Sequence, residues 1–163
     1  MLQKMDTIKV GTTLIAFIYL MAIPMLSHTC VLSADAFEKP EIEHEILKAE
    51  TWNSESLVYS ALLKDGRSIS VKYWACNYLG MDAELRVFGY LSKKKIVKYF
   101  SELARIAMAV DEALMLKKAL SEPSLKVGLK IPITNPQFSD FWIQAMQSKS
   151  QTKLKISYRR IED

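Results

Sequence analysis

Between Leu57 and Phe88 the apolar residues recur at every second position. Leu57, Tyr59, Ala61 and Leu63 form one such set, Ile69, Val71, Tyr73 and Ala75 a second, and Ala83, Leu85 and Val87 a third. A period of two places each set on one face of a strand. Ser68, Ser70 and Lys72 point the other way, so the opposite face is wet for part of its length. Asp65-Gly66 separates the first two runs and predicts a hairpin with a type I′ turn, because glycine accepts the positive φ that this turn requires. The third run follows the turn NYLGMD, and the three read as an antiparallel meander.

The period changes after Ser92. Ile96, Phe100, Leu103, Ala107, Val110 and Leu114 recur at steps of three and four, which predicts one long helix to about Leu120, capped by Ser92 and ended by Pro123. Leu125, Val127, Leu129 and Ile131 then alternate with Lys126, Gly128 and Lys130 and predict a fourth strand, with Pro132 marking an edge or an end. Asn135-Pro136 supplies a cap and an N1 proline ahead of Phe138, Phe141, Trp142, Ala145 and Met146, a spacing that predicts a short helix. Leu154, Ile156 and Tyr158, opposite Lys153, Lys155, Ser157 and Arg159, predict a fifth strand. The expected fold is α+β: two layers, an antiparallel sheet of about five strands in the order β-β-β-α-β-α-β, with one long and one short helix on one face.

The N-terminal segment changes how much of the chain belongs to that domain. Lys4 and Lys9 precede an uncharged apolar run from Leu14 to Leu26, interrupted by Pro24. The run has the length of a signal-peptide core and is short for a bilayer span of roughly 20 residues. Ala34 and Ala36 supply small residues at an A-x-A site, so residues 1–36 are expected to be a signal peptide cleaved after Ala36. Two alternatives stand beside this: a retained anchor, if Val10–Thr13 extend the run, and a lipidated Cys30, which Thr29 and Ser27 fit poorly. Residues 37–50, FEKPEIEHEILKAE, then form an acidic, partly ordered lead-in, and residues 51–163 a single domain.

The chain carries a formal net charge of +4, and the leader removes equal numbers of acids and bases. A basic exported protein meets acidic partners: phospholipid, lipopolysaccharide, cell-wall polymer or an acidic protein. Loss of Cys30 leaves Cys76 alone, as a buried thiol, a reactive thiol or the link of a covalent homodimer. A small domain without an internal disulfide fits a periplasm better than long extracellular life.

Catalytic groups are sparse. His44 is the one histidine after the leader, and nothing in the sequence brings it to Cys76. Zinc-site spacing, an acidic calcium loop and a glycine-rich phosphate loop are all missing, so neither a metal nor a cofactor is expected. Asp82 and Glu84 share one strand face, which gives either an acid pair for hydrolysis or a wet sheet face. Binding groups are more plentiful. Lys126, Lys130, Lys153, Lys155 and Arg159 lie on the non-core sides of two strands and make one positive face if those strands pair. Trp74 falls on the side opposite Tyr73, and with Tyr78 offers an aromatic anchor. Lys93, Lys94 and Lys95 sit in the first turn of the long helix, against its dipole, and read either as a solvated start or as an anion contact.

These observations lead to an exported, non-enzymatic binding protein. Its expected form is an inhibitor or immunity protein that blocks an envelope-acting enzyme such as a cell-wall hydrolase, with Trp74, Tyr78, Lys126, Lys130, Lys153, Lys155 and Arg159 as the partner-binding residues. The expected partner is an acidic or cleft-bearing protein rather than nucleic acid, with membrane contact only through the leader. A periplasmic module binding a small ligand or envelope polymer, and a hydrolase built on the acid pair, are the alternatives.

Overall fold

The computed structural model describes residues 37–75, 79–120 and 125–160. Among these residues the order is β1 (Leu47–Asn53), β2 (Val58–Leu63), β3 (Ser68–Ala75), β4 (Leu79–Phe88), α1 (Lys93–Ala107), α2 (Val110–Leu120), β5 (Lys130–Pro132), β6 (Phe138–Gln147) and β7 (Gln151–Arg160). All seven strands join one antiparallel sheet in the order β1-β2-β3-β4-β7-β6-β5. The fold is α+β. Two meanders build the sheet: β1–β4, and β5–β7 running back from the far edge. The helices form the connection between them, and β4 pairs with β7 where the meanders meet.

The alternation read from the sequence decides which face is buried. Tyr59, Ala61 and Leu63 on β2, Ile69, Val71 and Tyr73 on β3, and Met81, Ala83, Leu85 and Val87 on β4 are all buried. So are Leu154, Ile156 and Tyr158 on β7, and Phe141, Ile143 and Ala145 on β6. These side chains join one core with Ile96, Phe100, Leu103, Ala104 and Ala107 of α1. That stripe exists because α1 repeats apolar residues at steps of three and four. α1 lies against β4 and β7, and α2 against α1. Ser92 caps α1 by accepting from the Lys95 N–H at 3.4 Å, as its position predicts. Buried Tyr73 donates its hydroxyl to the Ala107 carbonyl at 3.2 Å, tying β3 to the end of α1. Burial, and then the Glu112 charge, push that phenol up to about 12.

Several expectations need correction. The sheet has seven strands rather than five, because two segments are strands that the pattern hid. Phe138–Gln147 is β6, not a helix. Phe141, Ile143 and Ala145 alternate inward, but Trp142 and Met146 on the other side blur the period of two. Leu47–Asn53 is an edge strand rather than the end of a lead-in, and it buries too little to show a pattern. The strand expected over 125–131 shrinks to Lys130–Pro132. The long helix is two helices: α1 ends at Met108, whose φ and ψ are extended. α2 restarts with Glu112 accepting from the Ala109 N–H at 3.2 Å, half of a capping box.

The β2–β3 hairpin forms where Asp65-Gly66 predicts it, but with a different turn. The Gly66 N–H donates to the Leu63 carbonyl at 3.0 Å, and the Leu63 N–H to the Arg67 carbonyl at 2.8 Å. Only Gly66 has positive φ, at 85°. This is a three-residue loop with one left-handed glycine rather than a two-residue type I′ turn. Residues 1–36, with the predicted signal peptide and Cys30, lie outside the described residues, as do Cys76 and Tyr78.

Candidate binding face

The sheet face opposite the core is mostly polar, and its register lines residues of different strands into rows. One row crosses every strand: Thr51, Ser60, Ser70, Glu84, Lys155, Gln144 and Lys130. The next row runs Val58, Lys72, Asp82, Ser157, Trp142 and Pro132. On the other side of the first row, Ser68, Arg86, Lys153 and Met146 are partners.

Glu84 sits at the centre of this pattern. Its carboxylate pairs with Arg86 at 2.5 Å, with Lys153 at 3.5 Å and with Lys155 at 3.5 Å. Burial pushes this carboxyl up, but the Arg86 hydrogen bond and the charges of Lys153, Arg86 and Lys155 outweigh it and hold the pKa below the usual range. One acid faces three bases, so the neighbourhood stays positive. Lys72 and Arg159 are exposed on the same face, in register with Asp82 and Asp140.

The aromatic residues flank the charged centre. Trp142 is half-buried on β6, with the Lys130 ammonium 4.1 Å from its ring centroid. The Trp74 ring occupies the space over Gly80 of the neighbouring strand, so close that a Cβ built there would come within 2.0 Å of its Nε1. Gly80 in turn pairs with Arg159. Two adjoining depressions open at the centre of this face, beside a smaller one of about 230 Å³ at Ser68, Arg86, Phe88 and Gln151. One, of about 350 Å³, is lined by Thr51, Ser60, Leu62, Ser68 and Ser70 among others. The second, of about 380 Å³, reaches Lys72, Asp82, Trp142 and Lys155. They share Ser70, Glu84 and Arg86 and so form one groove across β1–β4 toward β6.

The residues predicted from sequence divide accordingly. Trp74, Lys130, Lys153, Lys155 and Arg159 share this face. The two basic strands are not neighbours: β6 lies between β5 and β7, and Gln144 separates Lys130 from Lys155. Lys126 is exposed in the turn before β5 rather than on a strand. Sequence reading missed Trp142, which it assigned to a helix; the alternation of Trp142, Gln144 and Met146 against Phe141, Ile143 and Ala145 was the available signal. Asp82 and Glu84 do share a face, as expected. Glu84, however, is held ionised, whereas a general acid needs a raised pKa. Among the described residues no group of three or more His, Cys, Asp or Glu side chains is placed to hold a metal ion, and no helix is long and apolar enough to cross a membrane. His44 is exposed ahead of β1.

The class defined so far is an α+β protein with a continuous antiparallel sheet and a grooved, basic, aromatic-flanked face. No protein-family model, curated protein or solved structure matches the chain.

The Glu84 cluster predicts an acid-side loss of stability. A carboxyl whose folded pKa lies below its unfolded value of about 4.3 contributes stability above that value and loses it as pH falls through the folded value. Glu84→Gln is therefore expected to be less stable than wild type at pH 7, by on the order of 1 kcal/mol for a partly exposed network. The two curves should converge as pH falls through the lowered folded pKa, where the wild-type carboxyl is protonated as well. Urea denaturation at pH 7 and at successively lower pH measures both; a gap that widens in acid would contradict the assignment.

Proposed function

We propose that this is a non-enzymatic binding protein that seats an acidic partner protein on the grooved sheet face. In its exported, periplasmic form it acts as an inhibitor or immunity protein that blocks an envelope-acting enzyme such as a cell-wall hydrolase. The reading takes the helices and the sheet as two layers, with the second sheet face left for the partner. The observation that carries it is the cluster of Arg86, Lys153 and Lys155 around the single carboxylate of Glu84, flanked by Trp142 and Trp74. Positive potential steers an acidic surface and fixes its orientation, while half-buried tryptophans supply anchor area. A groove spanning several strands also suits an envelope oligosaccharide or other elongated ligand, and that is the second reading.

The test is native mass spectrometry of the protein captured from its own envelope fraction, followed by titration of the partner so identified. The mature chain should begin at Phe37. Lys155→Glu combined with Arg159→Glu is expected to weaken the complex at least about tenfold, mainly through dissociation of the oriented complex and loss of steering. Trp142→Ala should cost about 1–2 kcal/mol of binding. A complex indifferent to both variants would overturn the assignment of the face. Thermal stabilisation by glycan with no protein partner would favour the second reading.

A further inference from the structure

One end of the sheet carries features beyond the Glu84 cluster, although Phe88 follows Arg86 on the same outward side of β4. The β2–β3 turn, the loop from β4 to α1 and the β6–β7 turn meet there. Phe88 at 80% and Tyr90 at 74% exposure are the two most exposed aromatic side chains among the described residues. The backbone that carries them is fixed. Gly89, with φ 80°, donates its N–H to the Ser150 carbonyl at 2.8 Å. Its own carbonyl accepts from Thr152 Oγ1 at 2.8 Å, and the carbonyl of buried Leu91 accepts from Gln147 Nε2 at 2.8 Å. A loop pinned at three points therefore holds two aromatic rings in water.

Basic residues outnumber acids around these rings. Lys94 and Lys95 are exposed in the first turn of α1, which contains no acid. Lys149 is exposed in the β6–β7 turn, next to the residue that binds Gly89. The nearby acid Asp65 is engaged by Arg67 at 2.6 Å. Two more exposed apolar side chains, Val127 and Leu129, flank Gly128, whose N–H reaches Ala145 near the same end of β6.

We propose that this end of the sheet docks on an anionic lipid surface. Phe88 and Tyr90 enter the boundary between headgroups and acyl chains, and Lys94, Lys95 and Lys149 meet the lipid phosphates. Protruding rings flanked by lysines suit a bilayer, which accepts an amphipathic ring without a shaped pocket. An acidic protein would need a matched cavity for each ring. The contact leaves the strands standing on the membrane and engages the grooved face only at its Phe88 end. It is also separate from any contact made by the leader.

The test uses the full chain with phosphatidylcholine vesicles, with and without roughly a third phosphatidylglycerol. Sedimentation should show binding that requires the anionic lipid and weakens with salt. Each lysine near an anionic surface is worth about a fivefold change in binding, so Lys94→Glu with Lys95→Glu should lower the affinity at least about tenfold. Phe88→Ser with Tyr90→Ser should lower it similarly. Hydrogen exchange on the wild-type chain supplies the localisation that variants cannot: vesicles should slow exchange across residues 88–95. Equal binding to neutral vesicles, indifference to both double variants, protection confined to residues before Phe37, or an acidic protein that protects residues 88–95 while lipid does not would each overturn the proposal. Loss of the grooved face's partner leaves this result untouched, so the two readings fail separately.

Discussion

Phe100→Ala is expected to lower the stability of this protein by about 3–5 kcal/mol. The Phe100 ring has no solvent exposure, and with Ile96, Leu103, Ala104 and Ala107 it forms the buried stripe of α1. That stripe is how α1 joins the core, because the helix lies against β4 and β7, the two strands where the meanders meet. Removing the ring loses its transfer free energy and leaves a cavity that a packed sheet cannot collapse to fill. At roughly 4 °C per kcal/mol for a domain of this size, Tm should fall by about 12–20 °C. Val110→Ala is the control: this side chain is 76% exposed on α2, and its loss should stay within about 0.5 kcal/mol. Urea and thermal denaturation of both variants measure the contrast. A Phe100→Ala loss under about 1 kcal/mol would mean that α1 does not close the core.

The positions that govern this prediction were readable in the chain. Ile96, Phe100, Leu103 and Ala107 announce a helix face by spacing alone, and Tyr59, Val71 and Leu85 announce strand faces in the same way. The failures have physical causes. β6 carries apolar residues on both sides, Phe141, Ile143 and Ala145 inward and Trp142 and Met146 outward, and such a run fits a helix wheel as well as a ladder. β1 is an edge strand whose residues are exposed or half-buried, so its hydrogen bonds to β2 define it more than its side chains do. The break between α1 and α2 has neither glycine nor proline; its local trace is Glu112, three residues after Ala109.

The binding face was half legible for a related reason. Alternation alone put Trp74, Lys153, Lys155 and Arg159 on the wet sides of their strands, because the period of two is local. Which strands lie side by side is not local. Glu84 and Lys155 are far apart in sequence and become partners only because β7 inserts between β4 and β6. β6, between β7 and β5, keeps Lys130 away from Lys155, and its pairing with β7 places Trp142 beside Ser157. A single carboxylate ringed by three bases thus belongs to the topology and not to any motif.

Gly80→Ala tests that topology at one atom. Glycine inside a strand has no side chain to pack, and here its place is taken by the Trp74 ring from β3. A Cβ would lie 2.0 Å from Nε1 and 2.4 Å from Cε2 of that ring, so the indole must leave its seat or the strands must part. The expected cost is about 1–3 kcal/mol, a fall in Tm of roughly 4–12 °C, with red-shifted tryptophan emission as Trp74 swings into water. In a Trp74→Ala background the same change should be nearly neutral or stabilise by up to about 1 kcal/mol, since alanine then only removes backbone freedom. The double-mutant cycle should therefore give a coupling on the order of 1–3 kcal/mol between these cross-strand partners, whose side-chain contact is the Trp74 ring over Gly80. Persistence of the full cost without Trp74 would place the indole elsewhere. If the coupling is found, Gly80→Ala also becomes a probe of function: it displaces one aromatic flank of the groove while leaving Glu84, Lys153 and Lys155 in place, and a partner that needs Trp74 should bind it more weakly than it binds the wild type.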